Sequence, residues 1–168
     1  MRRFIVGFCL ILLTLFALEL SRPGQAVVKP WTAGVAAASS WAIRAFDSDA
    51  RAVGNVVYSE KTRFAVSIEA GCNGVEAMLV LAAAMLAFPA GWASRILGLA
   101  AGCVAIQALN VVRVASLYYI GQRSPALFEW AHLYLWQALV MLDVLLVWML
   151  WIRALPSGKS PPHGGKPA

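Results

Sequence analysis

Charge is scarce in this sequence. Only 13% of its 168 residues are Asp, Glu, Lys or Arg, against roughly a quarter in soluble domains. Acidic residues are scarcer still, 8 against 14 Lys and Arg, for a net charge of +6. The basic residues are scattered, with no basic helix and no basic patch interleaved with aromatics, which argues against nucleic acid as a partner. Cysteine is limited to Cys9, Cys72 and Cys103. The count is odd and there is no CxxC, which argues against a disulfide framework, a zinc site and dithiol exchange. Histidine is limited to His132 and His163. No metal-ligand spacing, phosphate loop or internal repeat is evident, so no metal and no cofactor is expected.

What the sequence has is apolar residues, 61% of the total, with a mean hydropathy of +0.71. Lipid is the solvent such a composition fits. A bilayer core takes about 20 apolar residues per helix. Four segments qualify as spans, at about 4–20, 73–88, 96–120 and 132–152. The fold class expected is therefore an all-α integral membrane protein, with residues 1–152 forming one membrane-embedded domain. The first segment, after Arg2-Arg3, reads as a retained anchor, with a cleaved signal peptide as the alternative.

Cytoplasmic segments concentrate Lys and Arg. With the N-terminus inside, the inner segments hold Arg2, Arg3, Arg95, Arg153, Lys159 and Lys166, and no acidic residue. All the carboxylates then fall outside or within spans. Both termini are thus expected in the cytoplasm, with residues 153–168, rich in Pro and Gly, as a disordered tail. Residues 21–70 form the outer segment. Trp31 to Phe46 is Ala-rich and reads as a short helix on the outer face. Thr62 to Glu69 alternates with the period of a half-buried strand. Paired with Ala52–Tyr58 across Ser59-Glu60-Lys61, it predicts a β-hairpin before the second span. That hairpin either packs only, or covers a site and receives an extended peptide along its edge.

Three polar residues far apart in sequence share one depth on this topology. Cys72 lies at the outer end of the second span. Arg113 comes seventeen residues after Ile96, roughly 26 Å at 1.5 Å per residue, nearly across a ~30 Å core. His132 opens the fourth span at its outer end. A thiolate is the nucleophilic form of cysteine, and a helix N-terminus and a nearby Arg113 would both favour it. Gly71 and Gly74 permit close approach of a peptide backbone. Arg113 stays charged and is costly in a span unless paired or functional. His132 suits proton transfer. Gln107, Asn110 and Arg113 recur every three residues as a polar stripe. Glu76 shares a face with Cys72, and Glu129 with His132. Asp143 shares the face of His132 but lies three turns deeper, too far to orient its ring.

Blander readings stand beside each. Cys9 and Cys103 read as small apolar residues. Arg113 can snorkel to the interface, His132 can be interfacial beside Trp130 and Trp136, and Gln107 and Asn110 can join helices. Glu76 can support the thiol, orient substrate or pair with Arg113. The shared depth makes three separate coincidences less attractive than one site.

The run Glu69-Ala-Gly-Cys72-Asn-Gly-Val resembles the cysteine motif of exosortases and archaeosortases. Asn110-Val-Val-Arg113 is similar to their arginine motif, and His132 matches their histidine. The resemblance covers about residues 50–150. The compact form and the run Cys-Asn-Gly-Val-Glu-Ala look most like exosortase H, although Asn73 stands where many members carry Ser. The resemblance implies a bacterial inner-membrane cysteine transpeptidase or protease with its site at the periplasmic face. Its partners would be membrane-anchored substrates bearing a C-terminal sorting signal, of the IPTLxxWG kind for exosortase H, followed by a transmembrane helix and a basic tail. Cys72 would be the nucleophile forming an acyl-thioester, Arg113 the electrostatic stabiliser and His132 the acid/base, the last two roles being partly exchangeable. Asn73, Gly74, Glu76, Gln107 and Asn110 would support the site or bind substrate. The alternative function is a non-catalytic membrane assembly factor or transporter subunit, in which loss of the Cys72 thiol would be tolerated.

Overall fold

The computed structural model describes residues 1–155, so most of the tail expected to be disordered, 156–168, lies outside the described residues. The chain is mostly helical. Helix α1, Arg2–Leu20, is apolar from Phe4 to Leu18 apart from Thr14 and contains no proline. It stops at Ser21, whose side chain accepts from the Gly24 N–H and caps α2, Arg22–Arg44, with Pro23 in the first turn. Serine at the cap and proline just inside are the usual start of a helix.

Helix α2 is longer than the Ala-rich stretch suggests, at 23 residues. Its buried residues, Thr32, Val35, Ala36, Ser39, Ser40 and Ile43, follow the three- and four-residue spacing of a single packed face. That face meets a small sheet on one side and a long helix on the other. Strands β1 (Ala50–Val53), β2 (Val56–Ser59) and β3 (Ala65–Ser67) form an antiparallel sheet in the order β1-β2-β3. The expected hairpin is therefore a three-stranded sheet. Its predicted first strand is split at Gly54-Asn55, where Gly54 turns the chain at a φ of +57°. Val53 then pairs with Val56 across that turn, and Val57 with Val66 across the second. Val57 and Val66 point into one cluster with Val35, Ala36 and Ile43 of α2, and with Val114 and Tyr118 of the long helix.

Helix α3, Val75–Ala87, has 13 residues. It leads through Pro89 into α4, Trp92–Arg123, of 32 residues. Helix α5, Pro125–Trp130, continues through a π-helical segment, Ala131–Leu135, into α6, Trp136–Ala154. Three helical stretches are long and apolar enough to cross a membrane: Arg2–Leu20, Trp92–Arg123 and Pro125–Ala154. Four were expected. The second, α3, reaches only about 20 Å at 1.5 Å per residue, short of a ~30 Å core.

Helix α3 is instead enclosed by its neighbours. Ala77, Leu81 and Met85 pack with Ile106, Val144 and Trp151 of α4 and α6. A Cβ on Gly102 would meet Leu81 Cδ2 at 2.4 Å, and one on Gly98 would meet Trp151 at 2.3 Å. In lipid, such close approach and the dispersion contacts it brings hold helices together, because apolar burial alone gives little. Trp151 also donates from Nε1 to the Ser94 carbonyl at 2.8 Å.

Candidate active site

The segment between β3 and α3 carries the site. Two glycines in the left-handed region shape it, Gly71 at φ +80° and Gly74 at φ +78°. Asn73 lies between them, 1% exposed, and is held from four directions. Its Oδ1 accepts from the Val75 N–H at 2.9 Å, and its Nδ2 donates to Thr32 Oγ1 at 3.0 Å. Its carbonyl accepts from Gln107 Nε2 at 3.2 Å and from Trp31 Nε1 at 3.4 Å. The Glu76 carboxylate accepts from the Gly71 N–H. A Cβ on Gly74 would stand 2.4 Å from Gln107 Nε2, so any other residue would displace the Gln107 amide from the Asn73 carbonyl as well as strain the backbone.

This loop presents the Cys72 thiol to two helices. Arg113, 3% exposed on α4, donates from Nη2 to Cys72 Sγ at 3.4 Å and from Nη1 to the Gly71 carbonyl at 3.2 Å. His132 places Nε2 3.9 Å from the same sulfur. Its ring stacks on Phe128 with centroids 5.8 Å apart and planes 1° from parallel. Cys72, Arg113 and His132 are thus together, as their common depth predicts.

The supporting residues divide. Asn73, Gly74, Gln107 and Glu76 build the loop. Asn110, 1% exposed, lies on the stripe between Gln107 and Arg113, and neither of its amide atoms has a partner among the described residues. Glu76 does not pair with Arg113; among the described residues the ion pair is Arg51–Glu60. Glu129 makes no hydrogen bond to His132, whose Nδ1 is buried without a partner among the described residues. Stacking on Phe128, rather than a carboxylate, sets the ring plane. Asp143 does not reach His132 either, as its depth requires.

Sequence reasoning missed Trp31, Thr32, Phe128 and Gln137. Trp31 and Thr32 were legible in principle, because the periodicity of α2 marks one packed face. Phe128 was legible as well, since it stands four residues before the histidine it stacks on. Gln137 follows the π-helical segment Ala131–Leu135, whose wider turn shifts the face on which later residues fall.

One electrostatic expectation is corrected. Cys72 stands two residues before Gly74, the N-cap of α3, outside the first turn, where the helix dipole is felt most. Burial pushes its thiol above the ordinary value, Arg113 pulls it down, and Glu76 and Glu69 push it up, for a net rise. The resting group is therefore a thiol beside a buried guanidinium, and deprotonation needs a base. Alkylation of Cys72 by iodoacetamide, followed by intact mass, is accordingly expected to inflect above the ordinary thiol range of about 8.5. In Arg113→Gln the inflection moves higher still, because the one lowering charge is gone, and the rate at pH 8 falls several-fold. An inflection below neutrality would show a preformed thiolate instead.

Comparison with known proteins adds one finding. The family model described as transmembrane exosortase matches residues 1–153. No curated protein and no solved structure matches.

Proposed function

Because the chain belongs to the transmembrane exosortase family, membrane proteins with a transpeptidase-like role in processing sorting signals, we propose that it is a cysteine transpeptidase acting through Cys72. The observation that carries this reading is the convergence of Cys72 Sγ with Arg113 Nη2 at 3.4 Å and His132 Nε2 at 3.9 Å. The substrate is an exported protein anchored by a C-terminal motif, of the IPTLxxWG kind, with a transmembrane helix and a basic tail.

In the reaction, His132 takes the thiol proton and the thiolate attacks the scissile carbonyl. The resulting oxyanion develops beside Arg113, a standing positive charge in a dry site. His132 returns the proton to the leaving amine as the C–N bond breaks. The acyl group remains on Cys72 as a thioester until a second nucleophile, an envelope anchor or water, releases it. The separation of 3.9 Å from sulfur to imidazole suits a resting site that tightens when substrate binds.

The site lies at the periplasmic face of the inner membrane on this reading. Both termini are cytoplasmic, and α3 is a fourth crossing inside one membrane-embedded domain. Its shortness is supported by burial among α1, α4 and α6, and by the loop at its start, which holds the site rather than lipid-exposed backbone.

The deciding experiment is capture of the intermediate. The protein is co-expressed with an exported reporter ending in such a signal, and membranes are quenched in acid. An adduct of enzyme with the amino-terminal part of the reporter is expected, mapped to Cys72 and released by neutral hydroxylamine. An assembly factor or transporter subunit forms none.

A further inference from the structure

A small cavity borders the thiol loop, lined by Gly71 and Gly74 of the loop and by Arg113, which also holds Cys72 Sγ. Its volume is about 170 Å³, room for on the order of five water-sized groups at ~30 Å³ each. Gly71, an exposed residue next to the nucleophile, is part of its lining, while Ile106 and Val140 contribute apolar wall. The polar groups in the lining are Glu76, Asn110, Arg113 and Gln137.

Two of these are buried and incompletely used. Asn110 has both a donor and an acceptor without a partner among the described residues, and so has the Nε–H of Arg113. The guanidinium thus uses its two Nη groups on the thiol loop and leaves its Nε–H without a partner among the described residues. Buried polar groups of this kind are costly unless something bonds them. A group entering past Gly71 would find donors in Arg113, Asn110 Nδ2 and the Gln137 amide, with Asn110 Oδ1, the Gln137 amide oxygen and the Glu76 carboxylate as acceptors. Opposite charges on Arg113 and Glu76 make a charged guest gain against one and lose against the other. A neutral group that both donates and accepts meets no such conflict, and a hydroxyl is the smallest.

Resting on the cysteine reading above, we propose that this cavity is the specificity pocket for the substrate residue whose carbonyl Cys72 attacks, and that it selects a short hydroxyl-bearing side chain. Asn110 is the selecting residue. Hydroxyl is distinguished from its methyl isostere because the isostere would leave the Asn110 amide buried and unpaired.

The test uses N-acylated threonine, valine, lysine, aspartate and glycine vinyl sulfones on the purified full chain in detergent micelles. Each adds the Cys72 sulfur across its double bond, with no leaving group, and places one side chain beside the electrophile. Rates are read by intact mass, with Cys72→Ala as the blank. The threonine compound is expected to add at least tenfold faster than valine, and faster than lysine or aspartate. In Asn110→Leu the threonine-to-valine ratio falls to about one. In Ala77→Leu, which narrows the same cavity, the threonine-to-glycine ratio falls at least tenfold; this variant decides the matter should Asn110→Leu not fold. Equal rates for threonine and valine in the parent protein overturn the pocket while leaving the nucleophile standing. So does a ratio that neither variant changes, or a preference for a charged side chain. Failure of every compound to label Cys72 overturns the nucleophile and the pocket with it.

Discussion

Replacement of Cys72 by alanine is expected to abolish processing of a sorting-signal reporter, with precursor accumulating at undiminished enzyme abundance. The loss should be at least 10³-fold, as for removal of other covalent nucleophiles. The sulfur is half-buried, and the loop that carries it is fixed by Asn73 and Glu76 rather than by the thiol. Loss of the thiol therefore removes chemistry and leaves the architecture. Cys72→Ser is expected to be nearly as inactive, because a serine hydroxyl is a far weaker acid and the site offers no carboxylate-backed imidazole to activate it. Cys9→Ala and Cys103→Ala serve as controls. Cys9 is exposed on α1 and Cys103 is half-buried on α4, and both variants should process normally. Quantitative immunoblotting of precursor and product in the four strains reads the result. Full processing by Cys72→Ala would leave the non-enzymatic alternative standing.

The gathering of Cys72, Arg113 and His132 was legible because depth in a bilayer is a one-dimensional coordinate. Counting residues along the four expected spans gives it without any knowledge of how helices pack around one another, although α3 is shorter than an ordinary crossing. The stripe Gln107–Asn110–Arg113 was legible for a similar reason, since spacing by three on a straight helix puts side chains on one face. What those residues hold was not legible. Gln107 and Arg113 bind carbonyls of the thiol loop, and the backbone path that brings those carbonyls to them depends on two left-handed glycines.

Helix α2 was underestimated because its helical start is low in hydropathy and carries Pro23 and Pro30. Its packed face is filled by Thr and Ser as well as Val and Ile, so an apolar count misses it. The third strand was missed because Gly54-Asn55 sits inside a run that otherwise reads as continuous β. The length of α3 was overestimated because Asn73 and Gly74 look like ordinary entry residues for an apolar helix. In fact Asn73 closes a turn onto Val75, and helical geometry starts only after Gly74. That same delay moves Cys72 out of the first turn and removes the dipole from its account. Its thiol is instead governed by burial and by the nearest charges, which no reading of the linear sequence ranks.

The second large effect is expected at Arg113. A unit charge about 4 Å from a developing anion is worth on the order of 4 kcal/mol at an effective dielectric of about 20. Each 1.36 kcal/mol is tenfold in rate. Arg113→Ala should therefore lower the acylation rate by roughly 10²- to 10³-fold, the range seen when an oxyanion donor is removed. Arg113→Lys separates charge from geometry. A lysine keeps the charge but offers a single ammonium where arginine spans Cys72 Sγ and the Gly71 carbonyl at 3.4 and 3.2 Å. It cannot hold both partners in a planar array, so a loss of at least tenfold is expected even though the charge survives. Single-turnover formation of the Cys72 adduct is the measurement, because it isolates acylation from release. If Arg113 only snorkels to the interface, Arg113→Lys should acylate at the parent rate. If it only shapes the loop, Arg113→Gln should match Arg113→Lys, since Gln can still donate to the Gly71 carbonyl. The order expected from a guanidinium acting as both charge and brace is Arg, then Lys, then Gln and Ala together. The gap between Lys and Gln measures the charge, and the gap between Arg and Lys measures the geometry.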